Sequence, residues 1–213
     1  MNLATLSAAD FVRVRPPQPL ARDEIHLWFF PQWETFHKVA ESRPVRDLLS
    51  TYLDGLADAL RIERGEHGKP RIAGAALEFN LAHTHGAMLL GVSRNVPLGV
   101  DLEVAQRRVR PIELARRFFS PAEAVALAAL PEPLCHATFL RLWCAKEAVL
   151  KSHGLGIAHG LTRVELAVGT DGAIAAPAAS GWRLLPLTPA AAHIGALVWS
   201  GADCAVRAFV AGC

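Results

Sequence analysis

A long apolar segment dominates the second half of the chain. From Leu134 to about His153 the side chains are apolar around most of a helical circumference, and Gly154 follows as a stop signal. Such a helix must be covered on nearly all sides, so it predicts a globular fold with further layers of structure around it. The chain has 213 residues, of which 52% are hydrophobic, and can supply those layers.

Composition narrows the class of protein. A net charge of +2 and a charged fraction of 20% exclude a disordered or rod-like chain. The first residues lack the continuous apolar stretch of a secretion signal, and no run approaches the roughly 18 apolar residues of a membrane span, so we expect a cytoplasmic protein without a membrane partner. The four cysteines form no CxxC pair and are expected to be reduced structural thiols.

Arginine supplies most of the positive charge, because only four of the 22 basic residues are lysines. The basic cluster of the sequence comprises Arg107, Arg108, Arg110, Arg116 and Arg117. No aromatic platform is interleaved with it, so we expect no nucleic-acid partner. An acidic protein is the more compatible partner, although clusters of this kind are more often solvated helix faces.

Residue patterns predict several elements in the first half of the chain. Residues 1–20 contain several prolines and are expected to be irregular. The predicted elements are a strand at 25–30 ended by Pro31, a helix from about 44 to 56, strands at 79–82 and 87–92 around a turn at 84–86, and a strand at 98–104.

The clearest helix start of the sequence is SPAE at 120–123. Ser120 is the N-cap, Pro121 occupies the first helical position, and Glu123 can complete a capping box. Pro131 ends this helix, and the apolar helix of residues 134–153 follows. Short strands are predicted at 163–168, 182–187, 195–199 and 205–210. Together these elements predict the α+β class.

Two carboxylates lie in the predicted strand GVDLE at 99–103. Because strand side chains alternate, Asp101 and Glu103 emerge on one face, about 6.6 Å apart by strand rise. They repel each other unless a cation lies between them, and carboxylate oxygens suit Mg²⁺. The alternative is a strand whose polar face simply meets water.

The apolar helix carries a second pair of charged residues. Glu147 and Lys151 are four residues apart, on one face of the helix, and can form an ordinary ion pair. Charged groups on an apolar helix are costly unless they are paired or bound to a metal, which favours a functional role. If Glu147 meets Asp101 and Glu103, three carboxylates can bind one Mg²⁺, and Lys151 can offset phosphoryl charge.

Other short motifs carry little information on their own. The GKP sequence at 68–70 is typical of a turn and lacks the glycine pattern of a P-loop. His83 and His85 can share a strand face as metal ligands, but Gly86 and the turn composition favour a loop, so no zinc site is expected. The sequence contains neither GxSxG nor GxGxxG.

In order, these motifs resemble the motif set of the Sfp-type 4′-phosphopantetheinyl transferases. The matching segments are GKP at 68–70, FNLAHT at 79–84, GVDLE at 99–103, FFSPAE at 118–123 and WCAKEAVLKSHGLGI at 143–157. The segment from Trp182 onward is similar to the closing strands of the family, and three of the four lysines fall inside the motifs.

The resemblance implies a pseudo-dimeric α+β fold. Two similar α+β halves, residues 1–98 and 99–213, would form one compact unit with the active site in the cleft between them. Coenzyme A, as co-substrate, would bind in this cleft with Mg²⁺ on its pyrophosphate. The protein is expected to act as a monomer.

The resemblance also implies roles for individual residues. Asp101, Glu103 and Glu147 would bind Mg²⁺. Glu147, directly or through water, would be the catalytic base, and Lys151 would face the pyrophosphate.

Further residues would hold coenzyme A. They are Arg64, Lys69, Pro70 and His83. Lys69 and His83 would contact its phosphates, and Arg64 would assist them.

The implied reaction is attack by a serine of an apo acyl or peptidyl carrier protein on the β-phosphate of coenzyme A. It releases adenosine 3′,5′-bisphosphate and leaves a phosphopantetheine arm on the serine. The sequence leaves two alternatives open. One is a non-catalytic relative that binds coenzyme A or a carrier protein, and the other is a Mg²⁺-dependent hydrolase of nucleotide pyrophosphates. Neither the carrier pathway nor the acyl-chain tolerance can be read from the sequence.

The sequence departs from the family pattern in two places. Ala82 stands where the family often has serine, which removes one hydroxyl donor worth about 1 kcal/mol. The segment between Trp33 and Val45 is shorter than the basic helical segment of the family. Lys38, Arg43 or Arg46 are the candidates to replace its positive charges.

Overall fold

The computed structural model describes residues 5–14, 18–33, 39–53, 55–155, 160–201 and 203–212. Within these ranges the helices are α1 (Arg43–Ser50), α2 (Pro111–Phe118), α3 (Pro121–Ala128) and α4 (Leu134–Ser152). The strands are β1 (Leu6–Ser7), β2 (Phe11–Arg13), β3 (Glu24–Trp33), β4 (Ile62–Arg64), β5 (Pro70–Ile72), β6 (Glu78–Thr84), β7 (Gly86–Ser93), β8 (Leu98–Val104), β9 (Ala167–Val168), β10 (Ile174–Ala175), β11 (Trp182–Ala190), β12 (His193–Ser200) and β13 (Ala205–Val210). The predicted α+β class is confirmed.

Two larger sheets form the centre of the molecule. One has the strand order β1-β11-β12-β8 and the other has β2-β13-β3-β7-β6. Two small hairpins, β4-β5 and β9-β10, lie beside them. Strand β13 pairs with β3, and β1 pairs with β11. Each larger sheet therefore contains strands from both sides of residue 98.

The molecule has four layers: α1, the five-stranded sheet, the four-stranded sheet, and the helices α2, α3 and α4. Three apolar clusters lie between them. The first lies between α1 and the five-stranded sheet and includes Leu49. The second joins the two sheets, with Leu89 on one side and Val100 on the other. The third packs α2, α3 and α4 on the four-stranded sheet and includes Leu142 and Val198. Successive strand residues thus face different clusters, as strand alternation requires.

The elements with the strongest local signals lie where they were predicted. Strand β8 has the predicted bounds, and α4 ends at Ser152. Helix α3 begins with the predicted capping box, in which Ser120 N donates to Glu123 Oε2 at 2.8 Å and Glu123 N donates to Ser120 Oγ at 3.3 Å. No helix in the described ranges combines the length and apolar character needed to cross a bilayer.

The prediction that Pro31 ends the first long strand is wrong. Strand β3 continues to Trp33, and Pro31 lies opposite Ala87 of β7. The register shifts between Pro31 and Trp33, and Gln32 adopts a φ of 65°. A bulge at this point accommodates a proline that cannot donate a ladder hydrogen bond.

Helix α1 is shorter than predicted. It ends at Ser50, and the N–H groups of Thr51, Tyr52 and Leu53 donate to carbonyls three residues earlier. The chain therefore leaves the helix through tight turns. Leu56, at the predicted end of the helix, is 78% exposed.

The strand predicted at 163–168 is also wrong over most of its length. Leu161–Arg163 form a 3-10 turn, and only Ala167–Val168 are extended in a sheet, as β9. Side chains of α3 and α4 form hydrogen bonds with backbone groups of residues 161–166 in place of a neighbouring strand. Lys146 Nζ donates to the carbonyls of Leu161 and Val164, and Leu166 N donates to Glu123 Oε1 at 2.9 Å.

Several elements were missed, among them the hairpin strands β4 and β5 and the short strand β10. The segment 1–20, expected to be irregular, contains β1 and β2, which pair in parallel with β11 and β13. No helix was predicted at α2, although Pro111 lies in its first turn and Arg116 and Arg117 lie in its last. Proline at the start and arginine at the end are both favourable helix signals.

Candidate active site

Helix α4 packs very closely on strand β8 at Gly99. A Cβ atom at this position would lie 2.0 Å from the carbonyl oxygen of Ala148 and 2.5 Å from the backbone nitrogen of Ser152. Only glycine permits this approach. The contact brings the last two turns of α4, which carry Glu147 and Lys151, beside the carboxylates of β8.

Asp101 and Lys151 form an ion pair across this contact. Their Oδ1 and Nζ atoms are 2.6 Å apart, and Asp101 is buried. Burial opposes the charged form of Lys151, but the negative charge of Asp101 and the hydrogen bond to it outweigh that effect and raise the pKa of Lys151. Lys151 is therefore a protonated, partly exposed cation at the centre of the site.

Glu103 has a different cation beside it. Arg107 Nη1 donates to Glu103 Oε1, and the guanidinium also lies 5.9 Å from the ring centroid of Trp143. Burial raises the pKa of Glu103, the charge of Arg107 opposes that rise, and the negative charge of Asp101 adds to it. Val100 and Leu102 pack in the cluster between the sheets, so Asp101 and Glu103 occupy the opposite face of β8.

Glu147 is buried and incompletely partnered. It is 6% exposed, and its Oε1 atom has no hydrogen-bond partner within the part of the chain that the structure describes. Burial raises the pKa of Glu147, and the negative charge of Asp101 raises it further, while Lys151 opposes both. The ion pair of Lys151 is made with Asp101 and not with Glu147, which was the simple alternative from helix spacing.

His83 lies next to this group from the five-stranded sheet. It is on β6, which packs along β8, and both burial and the nearby charge of Lys151 lower the pKa of His83. His85 lies in the turn between β6 and β7, where its carbonyl accepts a hydrogen bond of 3.4 Å from His193 Nε2. His83 and His85 therefore do not form a metal-binding pair on one strand.

The β4–β5 hairpin carries the other residues predicted to bind coenzyme A. Arg64 Nη1 donates to the carbonyl of Gly68 at 3.2 Å, and Arg64 also pairs with Glu41 at 3.4 Å. Pro70 begins β5, opposite Arg64. Lys69 Nζ donates to two backbone carbonyls, so its ammonium is occupied within the protein.

A buried asparagine that the sequence analysis left without a role joins the two sheets. Val100 N donates to Asn80 Oδ1 at 2.9 Å, and Asn80 is 4% exposed. A polar residue between Phe79 and Leu81 in a buried strand was the available signal, because such a group needs a partner.

Two arginines proposed to replace the basic helical segment have structural partners. Arg43 pairs with Asp47 at 2.7 Å and with Asp58 at 2.9 Å. Arg46 Nη2 donates to the carbonyl of Leu60 at 2.8 Å. Lys38, the third candidate, lies outside the described residues.

The cysteines within the described ranges, Cys135, Cys144 and Cys204, form no disulfide. Cys144 is fully buried below the carboxylates, where burial and the charge of Asp101 raise the pKa of its thiol. It therefore stays protonated, as expected of a structural thiol. Cys213 lies outside the described residues.

The carboxylates fit a hard cation in chemical character. Among the described residues no three His, Cys, Asp or Glu side chains are already arranged as a metal-ligand cluster. Lys151 and Arg107 instead neutralise Asp101 and Glu103. The unpartnered Glu147 Oε1 and the mutual repulsion of the carboxylates are the features that a divalent cation would relieve.

A cavity of about 490 Å³ lies elsewhere, between the segment 174–178 and strand β11. Trp182, Leu184 and Trp199 contribute to its wall, and Arg183 and Asp203 also line it. None of the predicted site residues borders this cavity. The chemistry of the carboxylates, and not cavity size, therefore marks the candidate active site.

Comparison with known proteins supports the motif assignment. A family model described as the 4′-phosphopantetheinyl transferase superfamily matches residues 97–197, which include β8 and α4. The 4′-phosphopantetheinyl transferase HetI of Nostoc is 33% identical over 178 residues, which cover 80% of this chain and 74% of HetI. The 4′-phosphopantetheinyl transferase Sfp of Bacillus subtilis is 29% identical over 133 residues, which cover 61% of this chain and 57% of Sfp.

A putative 4′-phosphopantetheinyl transferase of Synechocystis is 37% identical over 123 residues. This match covers 56% of the chain and 50% of that relative. The similarity to HetI covers more of this chain than the similarities to Sfp and to the Synechocystis protein.

Proposed function

Because this chain belongs to the 4′-phosphopantetheinyl transferase superfamily, we propose that it transfers the 4′-phosphopantetheine arm of coenzyme A to a serine of an apo acyl or peptidyl carrier protein. The observation that carries this proposal is the group formed by Asp101, Glu147 and Lys151 across the β8–α4 contact. It joins oxygen donors, a buried base and a fixed cation in one place, as transfer from a pyrophosphate requires.

In the proposed reaction the serine oxygen of the carrier attacks the β-phosphorus of coenzyme A. A new P–O bond forms to serine, the bond to the bridging pyrophosphate oxygen breaks, and adenosine 3′,5′-bisphosphate leaves. Glu147, directly or through water, takes the serine proton. Its raised pKa makes it a stronger base than an exposed glutamate, and Oε1 is not already committed to a donor.

Lys151 contributes positive charge beside the pyrophosphate of coenzyme A, where the phosphate of the leaving adenosine 3′,5′-bisphosphate gains negative charge. Its raised pKa keeps the ammonium protonated at neutral pH, and its partial exposure lets it reach a ligand. Positioning and neutralisation of charge supply most of the rate, since phosphoryl transfer needs no covalent enzyme intermediate.

Asp101, Glu103 and Glu147 would hold Mg²⁺. The ion, when bound, would neutralise charge on the pyrophosphate oxygens. In the structure Lys151 and Arg107 compensate the charges of Asp101 and Glu103.

The five-stranded side of the molecule would bind the nucleotide end of coenzyme A. His83 is adjacent to Lys151, and Arg64 and Pro70 are paired residues of the β4–β5 hairpin. The carrier protein would approach the exposed basic cluster around α2, where Arg116 and Arg117 are both exposed and can attract an acidic partner. The described cysteines form no disulfide, as is usual for proteins of the cytoplasm, where we propose that this protein acts as a monomer.

Analysis of the nucleotide product tests this proposal. The protein is incubated with coenzyme A and Mg²⁺, with and without an apo carrier protein, and the nucleotides are separated by chromatography. We expect adenosine 3′,5′-bisphosphate only when the carrier is present. Release without carrier would identify a pyrophosphate hydrolase. No release with any carrier, together with calorimetric binding of coenzyme A, would identify a non-catalytic binding relative.

A further inference from the structure

The outer edge of strand β8 is held by two side chains, Asn80 from strand β6 and Lys69 from the β4–β5 hairpin. On its inner edge β8 pairs with β12 along its whole length. On its outer edge Val100 N donates to Asn80 Oδ1 at 2.9 Å, and the carbonyl of Leu98 accepts from Lys69 Nζ at 3.1 Å. Two side chains thus replace the backbone partners that a neighbouring strand would supply.

Lys69 also reaches the end of α4. Its Nζ donates to the carbonyl of Ser152 at 3.1 Å, and its side chain packs beside Gly154. A cation at the C-terminus of a helix pairs with the unsatisfied carbonyls and the negative end of the helix dipole. One ammonium therefore joins the start of β8 to the end of α4.

The held backbone atoms are adjacent in sequence to the reactive residues. Val100 precedes Asp101, and Ser152 follows Lys151. Movement of either backbone segment would change the separation of the Asp101 carboxylate and the Lys151 ammonium, which are 2.6 Å apart.

The ammonium of Lys69 has little capacity left for a ligand. Of its three donors, two are used by the carbonyls of Leu98 and Ser152, and the carboxylate of Glu78 lies 3.9 Å away. A phosphate would have to reach the one donor that remains, on a side chain that is only 18% exposed.

We propose that Lys69 and Asn80 form a clamp that holds β8 to α4 and to β6 and thereby positions Asp101 and Lys151, and that Lys69 is a positioning residue and not a phosphate ligand. This inference rests on the proposed transferase function for its effect on turnover. Its structural part stands on the hydrogen bonds alone.

The kcat and the Kd of coenzyme A, measured for Lys69→Met and Asn80→Ala, distinguish a positioning role from a phosphate-binding role. We expect kcat to fall by roughly tenfold to a hundredfold in both variants, because small displacements of reacting groups are costly. We expect the Kd of coenzyme A, measured by calorimetry, to change by less than about threefold, since no phosphate contact is lost. Lys69→Arg should restore part of kcat, because it retains donors for the two carbonyls.

Arg71→Met is the matched control. Arg71 lies on the same hairpin, but its side chain is 68% exposed and pairs with Glu63 at 2.8 Å. The kcat of Arg71→Met should equal that of the wild type. An increase of about tenfold or more in the Kd of coenzyme A for Lys69→Met, with kcat unchanged at saturation, would overturn the positioning role and make Lys69 a phosphate ligand.

Hydrogen exchange tests the clamp without reference to catalysis. The amide of Val100 should exchange faster in Asn80→Ala, and it should remain protected in Asn80→Asp, which keeps an acceptor oxygen. Unchanged exchange in Asn80→Ala would overturn the clamp. If the wild type transfers nothing, the proposed function fails, and the exchange result still decides whether the clamp exists.

Discussion

At the scale of single residues, Glu147 shows how the site favours function over stability. A buried carboxylate without a full set of partners, next to Asp101, costs the folded protein free energy. The same features leave a basic oxygen available. Active sites commonly retain such locally unfavourable groups.

We therefore expect Glu147→Gln to abolish transfer and to stabilise the metal-free protein. Because the pKa of Glu147 is raised on folding, the wild type loses free energy of unfolding as the pH rises from the ordinary glutamate pKa through this raised value. At low pH, where the wild-type residue is protonated, the two proteins should be equally stable. At pH 8 the free energy of unfolding of Glu147→Gln should exceed that of the wild type by about 1 kcal/mol, and its Tm should be higher by roughly 2–4 °C.

Thermal melts in EDTA across a series of pH values measure this difference. A wild-type Tm equal to or above that of Glu147→Gln at pH 8 would show that the buried carboxylate is not a source of instability.

Individual residues also show what the sequence could and could not reveal. Alternation along β8 was sufficient to place Asp101 and Glu103 on one face. Helix spacing suggested Glu147 as the partner of Lys151, but the tertiary structure supplies Asp101 instead. The second contact of Lys69 joins residues 83 positions apart, a separation at which local patterns carry no information.

At the scale of elements, the close packing of α4 on β8 determines the site. The helix approaches until the backbone of Ala148 and Ser152 occupies the space that a side chain at position 99 would need. Gly99 is therefore required for its small size and not for an unusual φ angle.

We expect Gly99→Ala to push α4 away from β8. Its Cβ would overlap backbone atoms of the helix, which cannot move aside as a flexible side chain would, so overpacking should lower stability by roughly 1–3 kcal/mol. Transfer should fall by about tenfold or more, because Glu147 and Lys151 move with the helix. The measurements are Tm and kcat.

Gly212→Ala is the matched control for this substitution. A Cβ atom at Gly212 would meet nothing within 4 Å, so its Tm and kcat should equal those of the wild type. Wild-type turnover by Gly99→Ala would show that the close approach of α4 is not needed.

The buried pair formed by Lys146 and Glu123 connects three elements. Their Nζ and Oε2 atoms are 2.8 Å apart, and both side chains are almost completely buried. Glu123 caps α3, while Lys146 also bonds the carbonyl of Leu161 at 3.0 Å. Breaking one partner leaves the other charge buried without compensation.

We expect Lys146→Met to destabilise the protein by roughly 3–5 kcal/mol. The exposed pair of Arg71 and Glu63 provides the comparison, since Arg71→Met should cost no more than about 1 kcal/mol. Urea denaturation measures both values. Equal urea concentrations at the midpoint of unfolding for the two variants would show that the buried pair has no structural importance.

Elements with a clear local sequence pattern were predicted accurately, whereas elements held by contacts with distant residues were not. Strand β8 has an alternating pattern and helix α4 a long apolar segment, and both were predicted closely. The segment 163–168 was misassigned because Lys146 and Glu123 satisfy its backbone, and no local sequence pattern records those distant donors and acceptors. Pro31 was read as a strand end because a bulge at Gln32 cannot be recognised from composition.

At the scale of the whole molecule, the candidate site lies where the two larger sheets meet. Strand β6 brings His83 and Asn80 from one sheet, and β8 brings Asp101 from the other. The order of motifs in the sequence pointed to this arrangement through family resemblance. The exchange of β1 and β13 between the sheets was not predicted, because pairing of chain ends depends on contacts between residues far apart in sequence.

Intact-protein mass spectrometry of an apo carrier protein tests the transferase proposal most directly. The carrier is incubated with coenzyme A, Mg²⁺ and this protein, in parallel with Asp101→Ala, Glu147→Ala and Arg71→Met. We expect a mass gain of one phosphopantetheine arm with the wild type and with Arg71→Met. The gain should be lost in both carboxylate variants and in EDTA. An unmodified carrier of every type tested, or undiminished transfer by both carboxylate variants, would contradict the function and the site proposed for this protein.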